Sequence, residues 1–170
     1  MNNTSDIQFL GNRNNNDATF LMEGLISEIE AINDYDYSLT LTENEEIRKI
    51  LSHIRNEEVG HYFSFLQALR KIDNEFNTAA QAIQKQINIQ SKIHYNEHSC
   101  IKENKVLLLT SIRNAIKGEL DAIMLYNKFL NDVKSNELFK IIKVIDINEK
   151  EHVEELTRLL VLLEKENDKQ

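Results

Sequence analysis

The sequence predicts an all-α protein: a four-helix bundle with one long crossover and an internal two-fold repeat. Three observations carry that prediction. Proline is absent and glycine occurs only four times in 170 residues, so little interrupts long helices. Apolar residues recur at i, i+3, i+4 and i+7 over four separate stretches, the spacing of one buried helix face. The chain also repeats itself, since adding 91 to Glu28, Tyr35, Glu58 and His61 gives Glu119, Tyr126, Glu149 and His152. A chain of this length fits one domain and can close a core without covalent staples.

Taken in order, residues 1–16 are polar and asparagine-rich and read as a flexible tail, with Ile7, Phe9 and Leu10 able to dock on a groove. The bundle is expected over residues 17–165, in halves 17–75 and 105–165 joined by a crossover 76–104, with a tail at 166–170. The first helix, 18–41, presents Leu21, Leu25, Glu28, Ala31, Ile32, Tyr35 and Leu39 on one face. The second starts after Asn44, an N-cap followed by acids that complement the helix dipole, and its stripe runs Ile47, Ile50, Leu51, Ile54, Glu58, His61, Phe65, Leu69, Ile72. The crossover carries no matching repeat, although a short helix fits 79–93. Its length lets the second and third helices run parallel, while the short joints elsewhere make antiparallel neighbours. The third helix, 105–133, repeats the first through Ile112, Ile116, Glu119, Ala122, Ile123, Tyr126 and Leu130. Ser135 then takes the place of Asn44, and the fourth helix repeats the second through Leu138, Ile142, Ile145, Glu149, His152, Leu156 and Leu160.

Composition excludes several classes. A net charge of −8 and a pI near 5.2, with no basic stripe, argue against nucleic-acid binding. The single cysteine, Cys100, rules out an internal disulfide and suits a reducing compartment. There is neither a signal peptide nor an apolar run able to span a membrane, so a cytoplasmic protein without membrane or nucleic-acid partners is expected.

The chemistry lies where acids interrupt the apolar stripes. Several kcal/mol is the typical cost of one buried carboxylate, and four at one level repel one another. Two divalent cations would balance them: four carboxylates and two neutral imidazoles leave no net charge. Within Glu58-Val-Gly-His61 and Glu149-Lys-Glu-His152 the i, i+3 spacing puts both side chains on one face, and a glutamate from each of two helices plus Glu-x-x-His from the other two is a known dimetal pattern. Glu57 rivals Glu58, being i+4 from His61, but its repeat counterpart is Asn148. Glu30 and Asp121 fall on the opposite face and read as solvated. Gly60, beside His61, leaves space for either a substrate or a neighbouring helix. His94, His98 and Cys100 have spacings a second metal can use but read as exposed loop side chains, and His53 reads as structural or exposed.

The segments Glu28-Ile-Glu-Ala-Ile-Asn-Asp-Tyr35, Glu58-Val-Gly-His61, Glu119-Leu-Asp-Ala-Ile-Met-Leu-Tyr126 and Glu149-Lys-Glu-His152 resemble the ferritin-like superfamily, within it rubrerythrin and bacterioferritin. The resemblance covers nearly the whole chain. It implies two iron ions, or manganese, with Glu58 and Glu149 bridging, Glu28 and His61 terminal on one metal, and Glu119 and His152 on the other. Tyr35 and Tyr126 would hydrogen-bond the ligands. The implied function is reduction of hydrogen peroxide or dioxygen by a homodimer with electrons from a separate donor. Alternatives are oxidation and storage of ferrous iron, or manganese-dependent peroxide disproportionation. Two departures from rubrerythrin stand out: there is no rubredoxin-like domain with paired Cys-x-x-Cys motifs, and the extra third-helix glutamate of that family is Ala122.

Overall fold

The computed structural model describes residues 4–86 and 104–167, with side-chain surroundings for 16–85 and 104–164. It contains α1 (Thr4–Leu39), α2 (Glu45–Ile72), α3 (Asn74–Gln86), α4 (Lys105–Asp132) and α5 (Asn136–Asn167), and no strand among the described residues. Helix starts follow their caps. Asn44 Oδ1 accepts from the amides of Glu46 and Ile47 at 3.0 and 3.3 Å, and Ser135 Oγ accepts from Leu138 at 3.3 Å. Asn104 does the same for α4, accepting from Leu107 at 3.1 Å.

Two boundaries differ from the sequence reading. The backbone of α1 is helical from Thr4, well before residue 18, because no proline stops the helix and asparagine costs only a little helix propensity. The crossover helix starts at Asn74 instead of residue 79, because Asp73 Oδ1 accepts from Glu75 and Phe76 at 2.9 and 3.1 Å and caps it at once. His94, His98 and Cys100 lie outside the described residues.

The bundle is a square in which α1 and α5 each pack on both α2 and α4, while α3 lies on α2. Side-chain pairs fix the directions. Glu28 meets His61 and Asp36 meets Arg55 across α1 and α2; Tyr35 meets Glu119 and Glu28 meets Tyr126 across α1 and α4. His61 meets Glu149 and Lys71 meets Glu137 across α2 and α5; Arg113 meets Glu164 and Glu119 meets His152 across α4 and α5. In every case one residue number rises as the other falls, so all four edges are antiparallel. The diagonal pair α2 and α4 must then be parallel, and the crossover has to travel the bundle's length, about 42 Å for a helix the size of α2.

Two apolar clusters fill the ends. One holds Leu21, Leu25, Phe65, Tyr126, Phe129, Ile142 and Ile145; the other holds Tyr35, Leu51, Ile54, Leu108, Ile112 and Leu156. The 91-residue offset exchanges them, turning Leu51, Ile54 and Phe65 into Ile142, Ile145 and Leu156. A pseudo-two-fold axis therefore crosses the bundle between the clusters, where the polar residues sit. The symmetry is incomplete: Phe20 packs on Phe129 at 4.1 Å between ring centres, whereas the equivalent positions, Ser111 and Ser38, share a hydrogen bond of 2.6 Å. Among the described residues no helix is long and apolar enough to cross a membrane.

Gly60 faces outward, and a Cβ built there meets nothing within 4 Å, so no helix of this bundle requires a glycine at that position. Gly24 is the glycine that packing requires: a Cβ would sit 3.0 Å from the ring of fully buried Phe65. Urea unfolding should show Gly60→Ala stabilising by roughly 0.5–1 kcal/mol, the glycine penalty removed from an open helix surface. Gly24→Ala should destabilise, because overpacking costs of about 1–3 kcal/mol outweigh the propensity gain.

Candidate metal centre

Each bundle helix delivers its acid to one level: Glu28 from α1, Glu58 and His61 from α2, Glu119 from α4, Glu149 and His152 from α5. None of the six is more than 7% exposed. Their positions follow from the helical stripes, because the polar residue occupies a core-facing position with apolar neighbours one turn away on both sides. All eight residues singled out in the sequence, the two tyrosines included, converge here.

The donors form two groups of four. His61 Nδ1 lies 3.1 Å from Glu58 Oε2, 3.2 Å from Glu149 Oε1 and 3.6 Å from Glu28 Oε2. His152 Nδ1 lies 2.9 Å from Glu58 Oε1, 3.2 Å from Glu149 Oε2 and 3.6 Å from Glu119 Oε2. Within each group the donor atoms are within 4.8 Å of one another, a set that can hold a metal ion. Glu58 and Glu149 belong to both groups, and each turns one oxygen to either side. Glu58 Oε1 and Glu149 Oε1 are buried without a hydrogen bond, although the His152 and His61 nitrogens approach them at 2.9 and 3.2 Å. Each of these oxygens thus lies among the donor atoms of one group with no hydrogen bond to satisfy it. Carboxylate oxygens with imidazole nitrogens form a donor set suited to divalent iron or manganese.

The tyrosines reach across the repeat. Tyr35 donates to Glu119 Oε1 and Tyr126 donates to Glu28 Oε1, so each hydroxyl anchors the glutamate of the opposite half. Each leaves the other oxygen of that glutamate facing a histidine. Their rings close the site on both sides, 1% and 0% exposed.

Without cations, protons have to balance the carboxylates. Burial acts to lower His61, but Glu149, Glu28 and Glu58 outweigh it and push the imidazole up to about 11. His152 is raised in the same way, against burial, by Glu119, Glu149 and Glu58. Burial lifts Glu119 to about 8 and holds Glu28 well above its ordinary range. Burial also opposes the charge on Glu58 and Glu149, but both histidines hold these two carboxyls low. Two carboxylates against two imidazoliums are neutral, as are four carboxylates and two imidazoles with two divalent cations.

A cleft of about 310 Å³ opens between α1 and α4 and reaches Glu28, Glu58, Glu119 and Glu149. Small residues, Ser27 and Ala31 on α1 and Ala115, Gly118 and Ala122 on α4, make the gap, and Glu30, Asp34 and Asp121 line it. Glu30 and Asp121 are exposed, as their helix face predicts, but sequence reasoning missed the cleft they border. It also missed the partner of Glu57, whose Oε2 lies 2.9 Å from His152 Nε2 on α5 and not against His61 on its own helix. His53 is exposed beside Glu57 and Glu155, at 3.8 and 4.0 Å.

Comparison with known proteins agrees with this architecture. An EncFtn-like family model matches residues 7–86, the first repeat together with α3. A hypothetical protein from Pyrococcus furiosus, 18% identical, shares the fold with a TM-score of 0.60 over 88% of this chain and 90% of its own. No curated protein matches the sequence. The family match supports a ferritin-like relationship over the first half of the chain, and the structural likeness supports the helical-bundle fold alone; neither singles out rubrerythrin or bacterioferritin.

The raised groups set a pH dependence. Glu119 and His61 bind protons more tightly folded than unfolded, so their stabilisation is present at low pH and lost as pH climbs through about 8 and about 11 respectively. In chelator the melting temperature should fall between about pH 6 and pH 9. With a divalent cation present the trend should reverse, because the ion displaces these protons and binds better as pH rises. Parallel melts across that range check both signs.

Proposed function

We propose that the chain is a diiron oxidoreductase that oxidises ferrous iron, with hydrogen peroxide or dioxygen as the acceptor. The observation that carries the reading is the pair of donor groups sharing Glu58 and Glu149. Glu28 and His61 would complete one metal position and Glu119 and His152 the other, with Glu58 and Glu149 available to both. When bound, the metal pair supplies two one-electron carriers side by side, enough to reduce a peroxide bond in one encounter. Tyr35 and Tyr126 hold the terminal glutamates so that each presents one oxygen inward. The apolar clusters above and below close the site along the bundle axis, which leaves the cleft between α1 and α4 as the way in.

Ferrous iron is favoured as the electron source by the cleft. Its walls carry Glu30, Asp34 and Asp121 against one cation, Lys117, which pairs with Asp121; the remaining negative charge would raise the local concentration of cations at the mouth of the site. Ala122, buried beside the ligands, offers no carboxylate to exchange with a histidine, which weighs against rubrerythrin-type chemistry. The EncFtn-like match points the same way, toward ferritin-like handling of iron. For peroxide the balance is two ferrous ions, one hydrogen peroxide and two protons giving two ferric ions and two waters. A cytoplasmic homodimer is the expected setting, and no separate electron donor is then needed.

Elemental analysis of protein reconstituted with ferrous iron should find about two metals per chain, one for each group of donors. Glu58→Ala and Glu149→Ala should lose both ions, and with them ferric absorbance on adding peroxide or air. A folded native chain that binds neither iron nor manganese sinks the dimetal reading. Retention of manganese alone, with peroxide consumed and no ferrous iron oxidised, moves the reading to disproportionation, and a large hollow particle in light scattering moves it to storage.

A further inference from the structure

The internal repeat supplies a control for every side chain around the site: a contact made in one half has an equivalent position in the other. Applied to the histidines, it exposes one difference. His152 Nε2 is 2.9 Å from Glu57 Oε2, behind the Nδ1 that faces the metal ligands. The equivalent of Glu57 is Asn148, and the equivalent of His152 is His61. Among the described residues no carboxylate or amide hydrogen-bonds His61 Nε2; the acids around His61 all meet its Nδ1. Glu57 and Asn148 are themselves neighbours across α2 and α5. The Asn148 side chain and His53 also face the Glu57 carboxylate.

A carboxylate behind a ligating imidazole fixes the tautomer, with hydrogen on Nε2 and the lone pair on Nδ1, restrains the ring, and raises the basicity of the ligating nitrogen. Only one of the two metal positions has this support. We infer that Glu57 is a positioning residue that makes the two metal positions unequal, the ion at Glu119 and His152 being held more tightly than the ion at Glu28 and His61. The inference rests on the two-metal reading above. Its chemical consequence is sequential loading. One ion would stay resident under conditions in which the other exchanges, so that the His61 position is the one through which substrate iron passes.

The test is anaerobic calorimetric titration with ferrous ion, paired with Mössbauer spectra of ⁵⁷Fe-loaded protein. The native chain should bind in two steps separated by 10–100-fold in affinity, the usual effect of losing a supporting partner behind a ligand, and show two ferrous environments. Glu57→Asn, which makes the halves alike at this position, should weaken the tighter step by a similar factor and merge the two environments. Glu57→Gln, which keeps an acceptor without the charge, should fall between. The double swap Glu57→Asn with Asn148→Glu should restore two steps, an outcome that a merely structural role for Glu57 does not give. The side chain of Glu57 is 34% exposed, so these variants are expected to fold. Two ions bound alike in the native chain, or a Glu57→Asn titration and spectrum identical to native, overturn this inference and leave the dimetal site standing. A native chain that binds no metal overturns both.

Discussion

Four carboxylates buried at one level impose the constraint on which the rest of the structure depends. Each costs several kcal/mol to keep charged away from water, so the site exists only if cations or protons neutralise it and if the helices hold it closed. The architecture supplies the second condition. Apolar clusters on both sides of the polar level lock the four helices together, and the square of antiparallel contacts puts one acid from each helix at the same height. The two histidines supply the remaining freedom. They carry protons when no metal compensates the acids and become neutral ligands when one does.

The tyrosines tie this constraint to the repeat. Because Tyr35 anchors Glu119 and Tyr126 anchors Glu28, neither half contains a complete donor set with its supports. The shared glutamates have the same effect, Glu58 serving His152 as well as His61, and Glu149 the reverse. The site therefore forms only when the two halves are docked. Metal binding should report directly on the integrity of the whole bundle.

Much of this was legible in the sequence because both signals are periodic. The i, i+3 spacing of Glu58 and His61, the seven-residue step from Glu28 to Tyr35 and the 91-residue offset fix which residues face inward before any packing is known. What remained hidden depends on distances between helices. The repeat cannot say that a tyrosine reaches the opposite half, since same-helix and cross-helix partners share a face. Sequence spacing puts Glu57 within reach of His61 at i+4, but its partner is His152 on α5, a choice set by the antiparallel approach of α2 and α5. The cleft arises from five small residues on two helices whose adjacency the sequence does not state. Gly24 and Gly60 look alike in the chain, but only Gly24 sits under the Phe65 ring.

The incomplete symmetry has a further meaning. A site assembled from two identical subunits on a two-fold axis must carry every substitution twice, so its two metal positions cannot drift apart. Here the halves share one chain, and a change in one leaves the other untouched. Phe20 with Phe129 opposite Ser38 with Ser111 shows that the core of this chain is not bound by that symmetry. Carrying both halves on one chain thus does more than raise the local concentration of one half around the other: it allows two positions that geometry would otherwise keep identical to differ.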